Sequence, residues 1–434
     1  MNNLEQLRSG ALAGSQRLNL AGGLSEFPPE IFQLADTLEI LDLSNNALRS
    51  LPADLTRLHK LRVLFCSNNQ FTELPKAIGQ CELLSMVGFK ANKISHVPAS
   101  ALPKQLRWLI LTDNQISELP AELGQCTQLQ KLMLAGNQLQ HLPDELSNCV
   151  NLELIRIAAN QLSSLPAWLL KLPRLAWLAY AGNPFCEAVE TAALDHNPIA
   201  EIAWETLQIQ HKLGEGASGI IHHAKHISKY NQNVAVKLFK GALTSDGLPR
   251  SEMASSIHAG THPNLIGTHG KVDGHPEDLH GLVMTLVSPD FANLAAPPSL
   301  ASCTRDIYPA DTHFSVDAAL SIALSIASAA EHLHRRGVMH GDLYAHNILF
   351  NPSGEALLGD FGAASFIVNE SDATSLQQIE VLAFANLLEE LIAHTPRHEI
   401  TAKLTQLHLR CANPTPATRP LFVEILQTLQ AMST

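Results

Sequence analysis

The amino-acid sequence predicts an α/β chain in two parts: a repeat solenoid built on a curved parallel sheet, then a separate α+β domain. Two observations lead to this division. A leucine pattern recurs from Leu38 to Asn183 with a step of 23 residues, once 22, and self-similarity at such a period marks a stacked array. After Cys186 the period stops, and a glycine-rich loop, an alternating strand ending in lysine and a long amphipathic stretch follow. The expected organisation is a repeat domain over 1–190, a linker over 191–206 and a second domain over 207–434.

Composition narrows the function. A chain of 434 residues has room for two or three folding units with real cores. Hydrophobic residues are 46% and charged residues 16%, a globular balance. No uninterrupted apolar run reaches the roughly eighteen residues of a membrane span. The opening MNNLEQLRSG has no basic start followed by an apolar core, so a cytoplasmic location is expected. The formal charge of −12, from 29 basic against 41 acidic residues, argues against nucleic acid, whose phosphates need clustered Lys and Arg. Seven cysteines include no CxxC pair; Cys81, Cys126 and Cys149 fall where other repeats carry Leu58 and Leu172, and read as core residues. The 21 histidines are scattered and read as surface or packing groups.

The repeat LxxLxLxxN occurs as Leu38-Leu41-Leu43-Asn46, Leu61-Leu64-Cys66-Asn69, Leu84-Val87-Phe89-Asn92 and Leu106-Leu109-Leu111-Asn114. It continues as Leu129-Leu132-Leu134-Asn137, Leu152-Ile155-Ile157-Asn160 and Leu175-Leu178-Tyr180-Asn183, after a degenerate copy at Ser15-Leu18-Leu20-Gly23. Each copy makes one short strand with alternate residues inward, and the asparagine amide can bond the backbone of neighbouring turns. Leu-Pro pairs such as Leu74-Pro75 and Leu142-Pro143 mark the return path, since proline cannot donate to a ladder. This half resembles the leucine-rich-repeat family, with Asn183-Pro184-Phe185-Cys186 similar to its closing cap. The concave positions Phe65, Met86, Trp108, Ile110, Met133, Leu154 and Trp177 are unusually apolar. Aromatic and methionine anchors suit a protein partner; docking on the chain's own second domain, or no role, are the alternatives.

The second half opens with Leu213-Gly214-Glu215-Gly216-Ala217-Ser218-Gly219-Ile220-Ile221, a GxGxxG loop whose glycines let backbone amides close over phosphates. Val234-Ala235-Val236-Lys237 follows as an alternating strand, and Glu252 lies fifteen residues beyond Lys237. Val338-Met339-His340-Gly341-Asp342-Leu343-Tyr344-Ala345-His346-Asn347-Ile348-Leu349 precedes Asp360-Phe361-Gly362. Together these resemble the protein-kinase family, whose fold is two-lobed. The resemblance implies ATP and magnesium as cofactors, with Lys237 on the phosphates and paired to Glu252. It implies Asn347 and Asp360 as metal ligands and Asp342 as the residue that orients the attacking hydroxyl. It further implies an adenine pocket walled by Leu213, Ile221, Ala235 and Leu349, with Met284 as gatekeeper and Leu286 in the hinge. Ser315 to Arg335 reads as a long helix capped by Ser315.

Three positions depart from the family pattern. Gly341 replaces the arginine of HRD, which implies activation without loop phosphorylation, and Tyr344 replaces the lysine two residues after the catalytic aspartate. Only seventeen residues separate Gly362 from Glu380, where the next helix is expected to start, and no APE intervenes, so the activation segment is short and Arg419 needs another partner. Ser365, Ser371, Thr374 and Ser375 are candidate phosphosites. The expected function is a kinase of protein Ser or Thr hydroxyls recruited by the repeats. The alternatives are an ATP-binding pseudokinase scaffold and a kinase of tyrosine or small molecules.

Overall fold

The structure, a computed structural model, describes every residue except Met1–Asn3, Asn197, Pro198, Ala217, Tyr230, Ala242, Ser245 and Thr434; for His196 it describes the backbone alone. The chain forms two compact units, Met1–Arg174 and Leu175–Thr434.

In the first unit a short helix α1 (Leu4–Arg8) precedes seven three-residue strands: β1 (Arg17–Asn19), β2 (Ile40–Asp42), β3 (Val63–Phe65), β4 (Met86–Gly88), β5 (Trp108–Ile110), β6 (Lys131–Met133) and β7 (Leu154–Arg156). They pair in parallel and in order, so the middle residues Leu18, Leu41, Leu64, Val87, Leu109, Leu132 and Ile155 stack in one buried column. The returns are short 3-10 turns such as Ala121–Gln125 and Asp144–Asn148, entered through extended Pro120 and Pro143. Asparagines close the stack. The Asn114 carbonyl oxygen accepts from Ile94 N–H at 2.9 Å, while its amide donates to Phe89 O at 2.9 Å and Leu111 O at 3.0 Å. Cys81, Cys126 and Cys149 are buried free thiols.

The second unit begins inside the last repeat, with strand β8 (Trp177–Ala179), a turn at Pro184–Cys186 and helix α2 (Glu187–His196). The stretch anticipated as a linker over 191–206 is instead structured. It holds the end of α2 and strand β9 (Ala200–Ala203), which aligns parallel to β13 (Thr268–Asp273) because Ile202 is buried with Leu207, Val234 and Val283. The small lobe is a six-stranded sheet in the order β10-β11-β12-β14-β13-β9, with β10 (Leu207–Glu215), β11 (Gly219–His226), β12 (Gln232–Phe239) and β14 (Gly281–Thr285). Helix α3 (Pro249–Ala259) carries Glu252 and stops at Gly260, whose φ is +67°.

The large lobe is helical. Ser315 Oγ accepts from Ala318 N–H and caps α4 (Val316–Arg335), as expected. This helix has the length and apolarity of a membrane span, yet Leu320, Ala323, Ala327 and Leu333 are buried where it meets α5 (Glu370–Ala393), α6 (Glu399–Cys411) and α7 (Phe422–Gln430). Short strands β15 (Ala292–Asn293), β17 (Ile348–Phe350) and β18 (Ala356–Leu358) form one ribbon, and β16 (Val338–Met339) with β19 (Ser365–Phe366) another. Helix α5 begins at Glu370, with Glu370 and Asp372 favourable in its first turn, and not near Glu380. The segment after Gly362 is therefore only residues 363–369.

Replacing Asn114 by alanine orphans the buried Ile94 N–H, while Phe89 O and Leu111 O keep the amides of Asn92 and Asn137. We expect a loss of about 2 kcal/mol in urea unfolding of the intact chain, since an orphaned buried group costs roughly 1–3 kcal/mol.

Candidate active site

Strand register brings the small-lobe residues together. Ile221 lies opposite Lys237, and Ala235 lies opposite Met284, so Ala235 and Lys237 share one face of β12. Ala235 is buried, Met284, Ile221 and Leu349 are half-buried, Leu286 follows β14 half-buried, and Leu213 is exposed at the end of β10. The loop between β10 and β11 closes through Gly216 N–H to Gly219 O at 3.0 Å; its Ala217 lies outside the described residues. A Cβ on Gly219 would come 2.5 Å from Leu238 O, so that glycine is needed for strand packing. Gly214 and Gly216 face open space, which leaves room for phosphates beneath the loop. Glu215 binds Lys240 and Lys212, and the hydrogen bond from Lys240 followed by that from Lys212 holds its carboxyl down at about 2.

Lys237 joins the lobes. Its ammonium donates to Glu252 Oε1 on α3 and to Asp360 Oδ1, the latter at 3.4 Å. Both side chains of the Lys237–Glu252 pair are over nine-tenths buried. Burial opposes the charge on Lys237, but Asp360 and then Glu252 outweigh it and raise its pKa. Burial also raises Glu252, to about 7, against the pull of Lys237. The two shifts favour opposite protonation of one contact; the ammonium is the firmer of the two, because it has two carboxylates and Glu252 has one lysine.

Asp360 has a φ of +57°, a left-handed conformation that Asp tolerates because its Oδ1 accepts the Gly362 N–H at 3.1 Å. Burial opposes its charge, but Lys237 and that N–H hold the carboxyl below its ordinary range. Its side chain is still 51% exposed, at the open edge of the site. Asn347 donates through Nδ2 to Asp342 Oδ2 at 2.8 Å and Asp342 O at 3.0 Å, which leaves Asn347 Oδ1 as a second hard oxygen donor. Among the described residues no group of three His, Cys, Asp or Glu could hold a metal unaided. The pair Asn347 and Asp360 suits magnesium that brings further oxygens on a nucleotide.

Sequence reasoning missed the group beneath the loop 340–347. Glu380, buried in the middle of α5, accepts from His334 Nε2–H at 2.6 Å, Gly341 N–H at 2.7 Å and His340 N–H at 3.3 Å. Burial works against its charge, but His334 first, with His340 and the Gly341 N–H, holds its carboxyl below 4.5. His340 in turn donates Nε2–H to Gly359 O at 2.9 Å, just before Asp360. Arg419 finds carbonyls, donating to Gln378 O at 3.0 Å and Asn413 O at 2.9 Å, and burial lowers its pKa to about 10.

Two expectations change. Trp177 belongs to the second unit and is buried there, its ring stacked on Tyr344 at 4.0 Å and 6°, so it offers no free surface to a partner. Met86 and Leu154 are also buried, while Phe65, Trp108, Ile110 and Met133 are half-buried. Ser365 is fully buried, its Oγ accepting from Tyr180 N–H and Ala181 N–H, so it is closed to modification in this conformation; Ser371 and Thr374 are exposed and Ser375 is half-buried. A cavity of about 430 Å³ beside β9, bordered by Ile202, His226 and His269, holds none of the site residues.

Comparison with known families matches residues 207–383 to the protein kinase domain, residues 36–77 to leucine rich repeats in two copies and residues 127–185 to leucine rich repeat. Similar curated proteins include cyclin-dependent kinase C-2 C of Arabidopsis thaliana, 30% identical over 45% of this chain and 29% of that protein. A probable LRR receptor-like serine/threonine-protein kinase of Arabidopsis thaliana is 30% identical over 39% of this chain and 28% of its own. Fibroblast growth factor receptor 1 of Pleurodeles waltl is 27% identical over 44% of this chain and 25% of its own. The chain thus spans less than a third of the length of the curated relatives it matches.

For Glu380→Gln we expect a stability loss of about 3 kcal/mol at pH 7, the scale of an uncompensated buried pair. The folded carboxyl lies below its unfolded value of 4.5, so its contribution is complete above pH 4.5 and disappears as pH falls through the folded value. The difference between variant and wild type in denaturant unfolding should therefore shrink in acid.

Proposed function

Taking the chain as leucine-rich repeats joined to a protein kinase domain, we propose that it transfers the γ-phosphoryl group of ATP to Ser or Thr hydroxyls of a protein in the cytoplasm. The observation that carries this reading is Lys237 shared between Glu252 and Asp360 while Asn347 is bonded to Asp342. These are the polar groups that phosphoryl transfer needs, and the bond from Gly359 N–H to Asn347 O at 3.1 Å ties the two sets together.

In this reading Lys237 steadies the phosphates and Glu252 fixes the direction of Lys237. Magnesium supplies neutralising charge on the phosphates when bound, with Asn347 and Asp360 as its protein ligands. Asp342 accepts a hydrogen bond from the acceptor hydroxyl and aims its oxygen at phosphorus, and the Asn347 amide holds Asp342 for that task. Leu213, Ile221, Ala235, Met284, Leu286 and Leu349 enclose the adenine. The half-buried Phe65, Trp108 and Met133 of the repeats are the surface proposed to recruit a protein partner. Serine and threonine stand ahead of tyrosine because two of the three relatives described above are a cyclin-dependent kinase and a serine/threonine kinase.

One observation favours a second reading, an ATP-binding scaffold. The segment over 363–369 is short, and Tyr344 is covered by Trp177 where a lysine is usual, so the acceptor side has few groups to hold a peptide.

Transfer from labelled ATP with magnesium, to the chain and to generic protein acceptors, separates the two. The wild type should label its acceptor and Asp360→Ala should lose at least about a hundredfold in rate, the order of a removed transition-state charge contact. ATP binding with no transfer to any acceptor would favour the scaffold.

A further inference from the structure

Residues 175–196 carry the sequence of the closing repeat and its cap but pack within the second unit. They touch the three parts that must be aligned for transfer. At the catalytic loop, Trp177 Nε1–H donates to Leu343 O at 3.0 Å, and its ring lies flat on Tyr344. At the segment after Asp360, Tyr180 OH donates to Phe366 O at 2.9 Å, and the N–H groups of Tyr180 and Ala181 donate to Ser365 Oγ at 3.0 and 3.2 Å. At α3, the buried Glu190 accepts from Ser251 Oγ–H at 2.8 Å, next to Glu252, and from Gly182 N–H at 2.7 Å.

Gly341 shows how close the approach is. Its φ is +73°, and a Cβ there would lie 2.7 Å from Leu178 O and 2.5 Å from Ala363 O. No larger side chain fits between the repeat strand and the short segment. The position that departs from HRD is therefore the one where the closing repeat presses on the loop.

We propose that the closing repeat and cap are a permanent activating clamp, in which Trp177, Tyr180 and Glu190 are positioning residues that hold the catalytic loop, residues 363–369 and α3 in register. The clamp takes the place of a phosphorylated activation segment: the seven residues 363–369 are too few to fold back on themselves, and their one buried serine is already bonded to the repeat. The three side chains bond Leu343 O, Phe366 O and Ser251 Oγ, and act through the neighbouring Asp342, Asp360 and Glu252. The kinetic consequence rests on the kinase reading; the structural one does not.

The test uses the full chain with Tyr180→Phe, Trp177→Phe, Trp177→Ala and Glu190→Gln. Rates of transfer to a generic protein acceptor are measured over a range of Mg-ATP, alongside hydrogen exchange of the amides in 340–347 and 363–369. Tyr180→Phe should lower kcat about fivefold, the worth of one ordinary hydrogen bond, with KM for ATP little changed. Trp177→Ala should lower it further, and Trp177→Phe, which keeps a ring on Tyr344, should restore part of the loss. Exchange in both segments should quicken while β10–β12 stays protected. Unchanged or raised kcat in Tyr180→Phe and Trp177→Phe, or unchanged exchange in both segments, overturns the clamp; a raised kcat would mark the contact as inhibitory. If Trp177→Ala fails to fold, the two phenylalanine variants decide. A wild type that transfers no phosphate defeats the kinase reading alone, and the exchange data then decide the clamp by themselves.

Discussion

The buried ammonium of Lys237 is the constraint on which the site depends. A charge taken out of water is tolerable only when paired and hydrogen-bonded. Lys237 meets that demand with one carboxylate from α3 and one from the segment after β18. A strand of the small lobe, a helix and a loop of the large lobe are thereby fixed to a single point. Displacing any one of them would strand a charge in a place that water reaches poorly.

A second buried charge does the same for the loop that carries Asp342. Glu380 gathers the N–H groups of His340 and Gly341 and orients the ring of His334. From His340 the chain of bonds runs to Gly359 and so to Asp360. Two carboxylates, neither facing solvent, therefore set the positions of the two aspartates that do.

Much of this was legible in one dimension. The repeats show because their period is a sequence property: a column of Leu18, Leu41 and Leu64 and a ladder of asparagines need only regular spacing. The site residues show because the loops that hold them are short, so Asp342 and Asn347 keep a fixed interval. What the sequence hid lies in contacts across great separations. Trp177 and Leu343 are 166 residues apart, and nothing in the repeat pattern says that its last copy packs with a different unit. Arg419 satisfies its guanidinium with carbonyls, which leave no mark in side-chain composition. The linker was misjudged because strand β9 buries only Ile202, too little to make a visible strand pattern.

Gly341 and Tyr344, the two positions of the 340–347 loop that depart from the kinase pattern, meet the same element, since the backbone of β8 lies against the first and its indole against the second. The boundary between the units falls between Arg174 and Leu175, inside a repeat. The second unit thus includes a segment that the sequence marks as repeat. A chimera joined at the conventional start of the second domain, near Leu207, would sever Trp177, Tyr180 and Glu190 from their partners.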